Sequence, residues 1–435
     1  MAWWEDRICN GLAKAGGGSL TQPDVERILA HDITIYADSR RATENDLWPG
    51  IWALAATLSR QFTGTIYLAT GLDKPLPGPG PLSSRCVFTD RPPACRLALG
   101  LGQAPVSGSD VSLWGDARGN TLAFGHDLPG EAASPISAFA VAGYLSFALM
   151  ASAAGFAPHK ERFCQHTLEM DPVNVSAVAM AGKELAILGL GHLGNAYLAL
   201  LYFMVQRQGY WPKLFLLDRG KDGGRLEKAN WKTHVLLDES AAWEGSLKTE
   251  VISAHLKALG LSADTDSQTL NWGWKKPTTH PQLALMGFDS FDARRMAVAG
   301  GYEWLVDAGI GVRFDCPRIT WHSLPPDNQL AKRLFSEGTA SENLEIPANS
   351  LLAKSLDDPR DPCGWVRSFH GISAAAPSMG IVAAAYAWSE VLKVWAGERR
   401  PMRGSAYLWS PGIPPSIERE TRNGDILNIG NTPSR

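Results

Sequence analysis

The sequence predicts an α/β protein in which one strand–helix–strand plan occurs twice. Three observations carry this. Short apolar runs that read as strands alternate with long apolar runs that read as helices. A glycine-rich turn joins one such strand to its helix, at Gly189, Gly191 and Gly194. The apolar segment starting at Pro135 can be laid over the one starting at Pro377, which puts Tyr144 on Tyr386 and Gly155 on Gly397.

The elements follow in order. DITIYADS reads as a strand, LWPGIWALAATLSRQF as a helix broken at Gly64, and TIYLATG as the next strand. RLALGLG, near residue 100, resembles LALMGFD, near residue 286. Residues 132–158 carry no charge and imitate a membrane span. Their apolar content is mostly alanine, which inserts weakly, so a buried helix is expected and no membrane partner. From Ala181 the plan restarts: LAILGLGHLG is a strand running into glycines, NAYLALLYFMVQRQG a helix ending at Gly209, and KLFLLD a strand ending at Asp218. The expected domains are 1–170 and 171–435, two Rossmann-like halves packed as an intrachain pseudo-dimer. Only the second half has the chemistry, because Ala37-Asp38-Ser39-Arg40-Arg41 stands where the glycine loop would be in the first.

Bulk properties agree. A chain of 435 residues, 45% hydrophobic and 20% charged, can bury a large core without a metal or disulfide staple. A net charge of -3 and the absence of basic–aromatic interleaving exclude a nucleic-acid platform. Trp48, Trp52, Trp388 and Trp395 fall in apolar helical patterns and read as core. The six cysteines, at 9, 86, 95, 164, 316 and 363, form no CxxC pair. Neither a zinc site nor a disulfide framework is indicated, and a reducing, cytoplasmic setting fits best. The opening residues MAWWEDRICN hold no apolar signal core.

Gly189, Gly191 and Gly194 allow a tight turn and close backbone approach to phosphate oxygens, and the following helix adds its positive end. Asp218 stands where an acid can bond ribose hydroxyls. These two features alone suit NAD, FAD or ATP, so an NAD(P)-dependent oxidoreductase stays open at this point. The later segments add more: RGKDGGRLEKANWKTH, then GSLKTEVISAHLKALG, then MGFDSFDARRMAVAGGYEWLVDAGIGV. This order resembles the ThiF-like superfamily of ubiquitin-activating enzymes and molybdopterin- or thiamine-pathway adenylyltransferases. It is most like the activating enzyme of bacterial ubiquitin-like conjugation operons, which act in antiphage defence.

The resemblance implies roles residue by residue. Asn230 matches the family's asparagine, Lys248 the lysine that neutralises ATP phosphates, and Asp289 the acid that holds Mg²⁺. Arg294 matches the arginine that follows, and Asp307 precedes the Ala308-Gly309 turn. Thr233 stands where the family has arginine, leaving neighbouring Lys232 to supply the cation. Cys363, in the polar stretch SLDDPRDPCGWVRSFHG, lies near the end of a non-periodic segment (about 327–370) and matches the cysteine loop that precedes a helix like GISAAAPSMGIVAAAYAWSEVLK. It is the thioester candidate, with Cys164 the second and Cys316 structural. Such enzymes use ATP and Mg²⁺, adenylate the C-terminal carboxylate of a ubiquitin-like protein and pass it to a conjugating enzyme. The expected state is a monomeric pseudo-dimer or a homodimer. Within the superfamily a sulfur-carrier adenylyltransferase is the alternative, disfavoured by the lack of paired zinc cysteines.

Overall fold

A computed structural model describes residues 12, 21–106, 108–155, 166–170, 180–220, 224–310, 318–325, 376–408, 416–420 and 426–428. Its strands form two mixed sheets. The first contains β1 (Ile33–Ala37), β2 (Ile66–Ala69), β3 (Cys86–Phe88), β4 (Leu97–Leu101), β5 (Val111–Arg118), β6 (Thr121–Phe124) and β7 (His166–Glu169), in the order β3-β2-β1-β4-β5-β6-β7. The second contains β8 (Glu184–Leu188), β9 (Lys213–Asp218), β10 (Ala263–Ser267), β11 (Leu283–Met286), β12 (Trp304–Ile310), β13 (Arg318–Leu324), β14 (Met402–Tyr407), β15 (Ser416–Glu420) and β16 (Ile426–Asn428). Its order is β10-β9-β8-β11-β12-β13-β14-β15-β16. The first five strands of each order are parallel and the rest antiparallel, so the two sheets share one topology over seven positions. This is the α/β class the alternating pattern predicted.

Seven helices are described: α1 (Gln22–Leu29), α2 (Trp48–Gln61), α3 (Pro135–Ala153), α4 (His192–Gln208), α5 (Lys248–Ala258), α6 (Phe291–Ala299) and α7 (Pro377–Trp395). Helices α3 and α7 show why the two apolar segments could be overlaid. Each runs 19 residues and starts with proline in its first turn, where a missing N–H costs nothing. Each is followed by a glycine at positive φ, Gly155 at 70-odd degrees (φ 77) and Gly397 at φ 91, a conformation that ends helices cheaply only without a Cβ. The overlaid tyrosines meet each other: the Tyr144 and Tyr386 hydroxyls lie 3.0 Å apart in the core. Gly143 lets the helices approach, since a Cβ there would lie 2.5 Å from Val382.

The core runs through both sheets without interruption. Every residue of α2 is buried, and Trp52 stacks with Phe139 and meets Phe203 edge-on, joining α2, α3 and α4. Trp48, Trp52 and Trp388 are fully buried as expected, and Trp395 partly so. Helix α3 is the one described helix long and apolar enough to cross a membrane, and 89% of its most apolar window is buried inside the protein. It is a core helix.

Candidate functional site

In a parallel α/β sheet, ligands bind beyond the carboxyl ends of the strands where the strand order reverses. In the second sheet that point lies between β8 and β11. The glycine turn leaves β8 there. Gly189 takes φ 92 and donates to the Leu217 carbonyl at 2.7 Å. Gly194 packs so closely that a Cβ would collide with the Gly189 carbonyl oxygen. Gly191 has ordinary φ, and a Cβ built on it meets no heavy atom within 4 Å among the described residues. The three glycines therefore do different work. Gly189 and Gly194 shape the turn, and Gly191 keeps its outer face clear at the N-terminus of α4.

Asp218, at the end of β9, is buried and holds the turn from the side. One carboxylate oxygen accepts from Leu190 N–H and the other from Arg219 N–H, both at 2.6 Å. Across the turn, Gly287 continues β11 and donates to the Leu188 carbonyl at 2.7 Å. Two residues later Asp289 is exposed, with one oxygen 3.9 Å from the Arg219 guanidinium. The glycine turn, Asp218 and Asp289 thus gather at the reversal point.

Lys248 sits on the same carboxyl edge, further out. It begins α5, its N–H donates to the Gly224 carbonyl at 2.9 Å, and the Oγ1 of adjacent Thr249 meets Ser267 Oγ at 2.5 Å. Ser267 is the last residue of β10 and pairs with Asp218. Between β9 and α5, a 3-10 turn (Lys228–Lys232) carries Asn230, whose side chain accepts from Glu227 N–H at 2.8 Å. Lys232 is buried with its ammonium 5.2 Å from the centre of the Trp231 ring. Thr233 is fully buried, its hydroxyl 3.0 Å from His234 Nδ1. No charge therefore stands at the position where the resemblance puts arginine. Arg294 is turned to its own sheet: it pairs with Asp307 at 3.1 Å and donates to the Ala308 carbonyl at 3.1 Å. Asp307 also pairs with His322 at 3.2 Å. Cys363, Cys164 and Cys316 lie outside the described residues.

Three contributors escape a reading of motifs. Asn195 is fully buried and its amide donates to the carbonyls of Leu190 and Gly191, at 2.8 and 3.0 Å, pinning the glycine turn from inside. Its place directly after GLGHLG was the available signal. Tyr197 donates to the Met286 carbonyl at 3.0 Å and so steadies the end of β11. Arg60, from α2 under the first sheet, reaches the segment that follows Asp218 and donates to its carbonyls. Burial dominates its environment and lowers it to about 10, opposed chiefly by Cys86 and Glu239.

Known families bear on this geometry. A model of the BilD C-terminal domain matches residues 181–398, half of the chain. The chain belongs to the BilD C-terminal domain family. The matched stretch opens just before β8 and closes just after α7, so it contains the glycine turn, Asp218, Asn230, Lys248, Asp289 and Arg294. The bacterial E1-like protein BilD of Collimonas sp. (strain OK412) is 26% identical over 244 residues, which cover 55% of this chain and 50% of that protein. The chain spans about half the length of the curated relative it matches.

Proposed function

We propose that this protein activates a ubiquitin-like protein with ATP. The observation that carries the reading is the meeting of an open glycine turn, Asp218 and Asp289 at the strand-order reversal of a BilD-family unit. The E1-like name of the Collimonas relative supports it. So does the resemblance to ThiF-like adenylyltransferases carried by Asn230, Lys248, Asp289 and Arg294. The two sheet units, 1–170 and 171–435, act in this reading as an intrachain pseudo-dimer whose second half binds the nucleotide.

The chemistry is the attack of a C-terminal carboxylate oxygen on the α-phosphorus of ATP. The new O–P bond forms as the bond to pyrophosphate breaks, and an acyl-adenylate remains. Both partners are anionic, so the step needs positive charge and aligned N–H groups around the equatorial oxygens. The turn at Gly191 and the start of α4 supply the N–H groups, and Lys248 and Lys232 supply cations. Asp289, a single exposed carboxylate beside the turn, fits Mg²⁺, which characteristically takes one or two carboxylates and otherwise phosphate and water oxygens. Mg²⁺ there would neutralise phosphate charge. The Cys363 thiolate then attacks the acyl carbon, AMP leaves, and a conjugating enzyme accepts the thioester, in bacterial antiphage defence.

The test is ATP–pyrophosphate exchange dependent on the cognate ubiquitin-like protein. Asp289→Ala should lower exchange by about a hundredfold or more, the usual scale for losing a charge-stabilising group. Exchange retained in that variant removes Asp289 from the site. A reductant-sensitive conjugate should form with the native chain and not with Cys363→Ala.

A further inference from the structure

The segment that follows Asp218 carries Asn230 and Lys232, and it is held from the first sheet unit as well as from its own. Residues 231–239 are gripped from the first sheet unit at several points. The Arg60 guanidinium is fully buried at the carboxyl end of α2. Besides the Ala56 carbonyl of its own helix, at 2.7 Å, it donates to three carbonyls of this segment: Trp231 at 3.1 Å, Val235 at 3.0 Å and Leu237 at 2.5 Å. It also lies 5.5 Å from the centre of the Trp231 ring. Arg85 and Ser83 hold Glu239 at 3.2 and 2.9 Å. Gly80 lies so near the Leu236 carbonyl that a Cβ would come within 3.1 Å of it. Pro79 offers its carbonyl to His255 of α5, the helix that Lys248 begins.

We infer that Arg60 is a positioning residue for the nucleotide site, contributed by the unit that lacks the glycine turn. The assignment rests on the function proposed above. A planar fork of fixed donors that bridges three carbonyls of one irregular segment sets that segment's curvature. The backbone it curves is the one that presents Asn230 and Lys232. A charge buried among carbonyls is costly, and a lysine in its place can satisfy one or two of them but cannot hold three in one plane. Neighbouring Gln61 continues the same contact toward α7: its amide donates to Ser378 Oγ at 2.8 Å, in the first turn of that helix.

The experiment uses the full chain and MgATP alone, with calorimetric titration of native protein, Arg60→Lys and Arg60→Met. The expected result is an Arg60→Lys protein that unfolds cooperatively within a few degrees of native but binds MgATP about tenfold more weakly. Amide hydrogen exchange, read without nucleotide, should quicken across 231–239 and stay unchanged in α3 and α7. Arg60→Met should weaken binding further. Arg60→Lys binding MgATP like the native chain overturns the inference and leaves the proposed function standing. So does a global loss of protection in Arg60→Lys, which would make Arg60 a core residue only. A native chain that binds no MgATP sinks the nucleotide reading itself, and the inference with it.

Discussion

The two sheets reverse their strand order at equivalent places, between β1 and β4 and between β8 and β11, but the space beyond those points is used differently. After β1 the chain runs through Arg41, which is buried and bonds Asp46 at 2.9 Å, Asp116 at 2.5 Å and the Ala117 carbonyl at 2.7 Å. A Cβ on Gly102, at the end of β4, would lie 2.5 Å from Leu47 and 3.1 Å from Arg41. The first reversal point is therefore packed with protein and wired by an ion-paired arginine. After β8 the corresponding backbone is a glycine turn in which a Cβ on the central residue would meet nothing within 4 Å among the described residues. One topology thus serves as a closed scaffold in one copy and carries a glycine turn in the other. A few side chains decide which, because the parallel sheet and its helices are formed in both.

The largest effect should come from breaking the closed copy. Arg41→Met leaves two buried carboxylates without their partner and should cost about 3–5 kcal/mol in urea unfolding. MgATP affinity of the folded variant should stay native; a selective loss of affinity would show that the first reversal point also serves the nucleotide. Next comes the open copy. Gly191→Val meets no clash among the described residues and no positive φ, so the variant should fold, with its unfolding midpoint lowered only by the poorer N-cap. Its MgATP affinity should drop by about a hundredfold, because the side chain stands where phosphate must approach the backbone.

The contact between the copies should give a smaller effect. Burial pushes the Tyr144 phenol up to about 12, so it stays protonated and bonded to Tyr386. Tyr144→Phe leaves one buried hydroxyl without that partner and should cost about 1–3 kcal/mol. The double Tyr144→Phe, Tyr386→Phe should recover most of that loss; additive costs in the cycle would mean the two hydroxyls are not coupled. The smallest effect concerns Cys86, beside Arg60. Burial pushes its thiol up to about 11, against the pull of Arg60 and Arg85. A thiol raised in this way is protonated at neutral pH and unreactive. Alkylation of native protein mapped by mass spectrometry should leave Cys86 unmodified at pH 8, and Cys86→Ser should keep thioester formation at the native rate.

Much of the fold was legible because its signals are local. The strand ending at Asp218, the helix ending at Gly209 and the matched helices at Pro135 and Pro377 each depend on residues a few positions apart. The glycine turn belongs to the same class, since each glycine answers to backbone within one turn. The order of motifs singled out Asp289, and the fold puts it two residues after Gly287, 3.9 Å from Arg219. Arg294 shows where such transfer stops: the motif located it, but its pairing with Asp307 appears only when α6 is laid on β12.

What the sequence determined alone is the periodicity of its elements, their order, and which of two similar units carries glycines after its first strand. Tertiary structure decided the rest. Arg60 meets carbonyls 171 to 177 positions away, and Arg41 meets an aspartate 75 positions away. Hydrogen bonds of that kind leave no spacing to read, because direction and burial exist only after the sheets have packed. The same residue type, a buried arginine, seals the first reversal point and grips the segment that follows β9, and only the surrounding carboxylates or carbonyls distinguish the two uses.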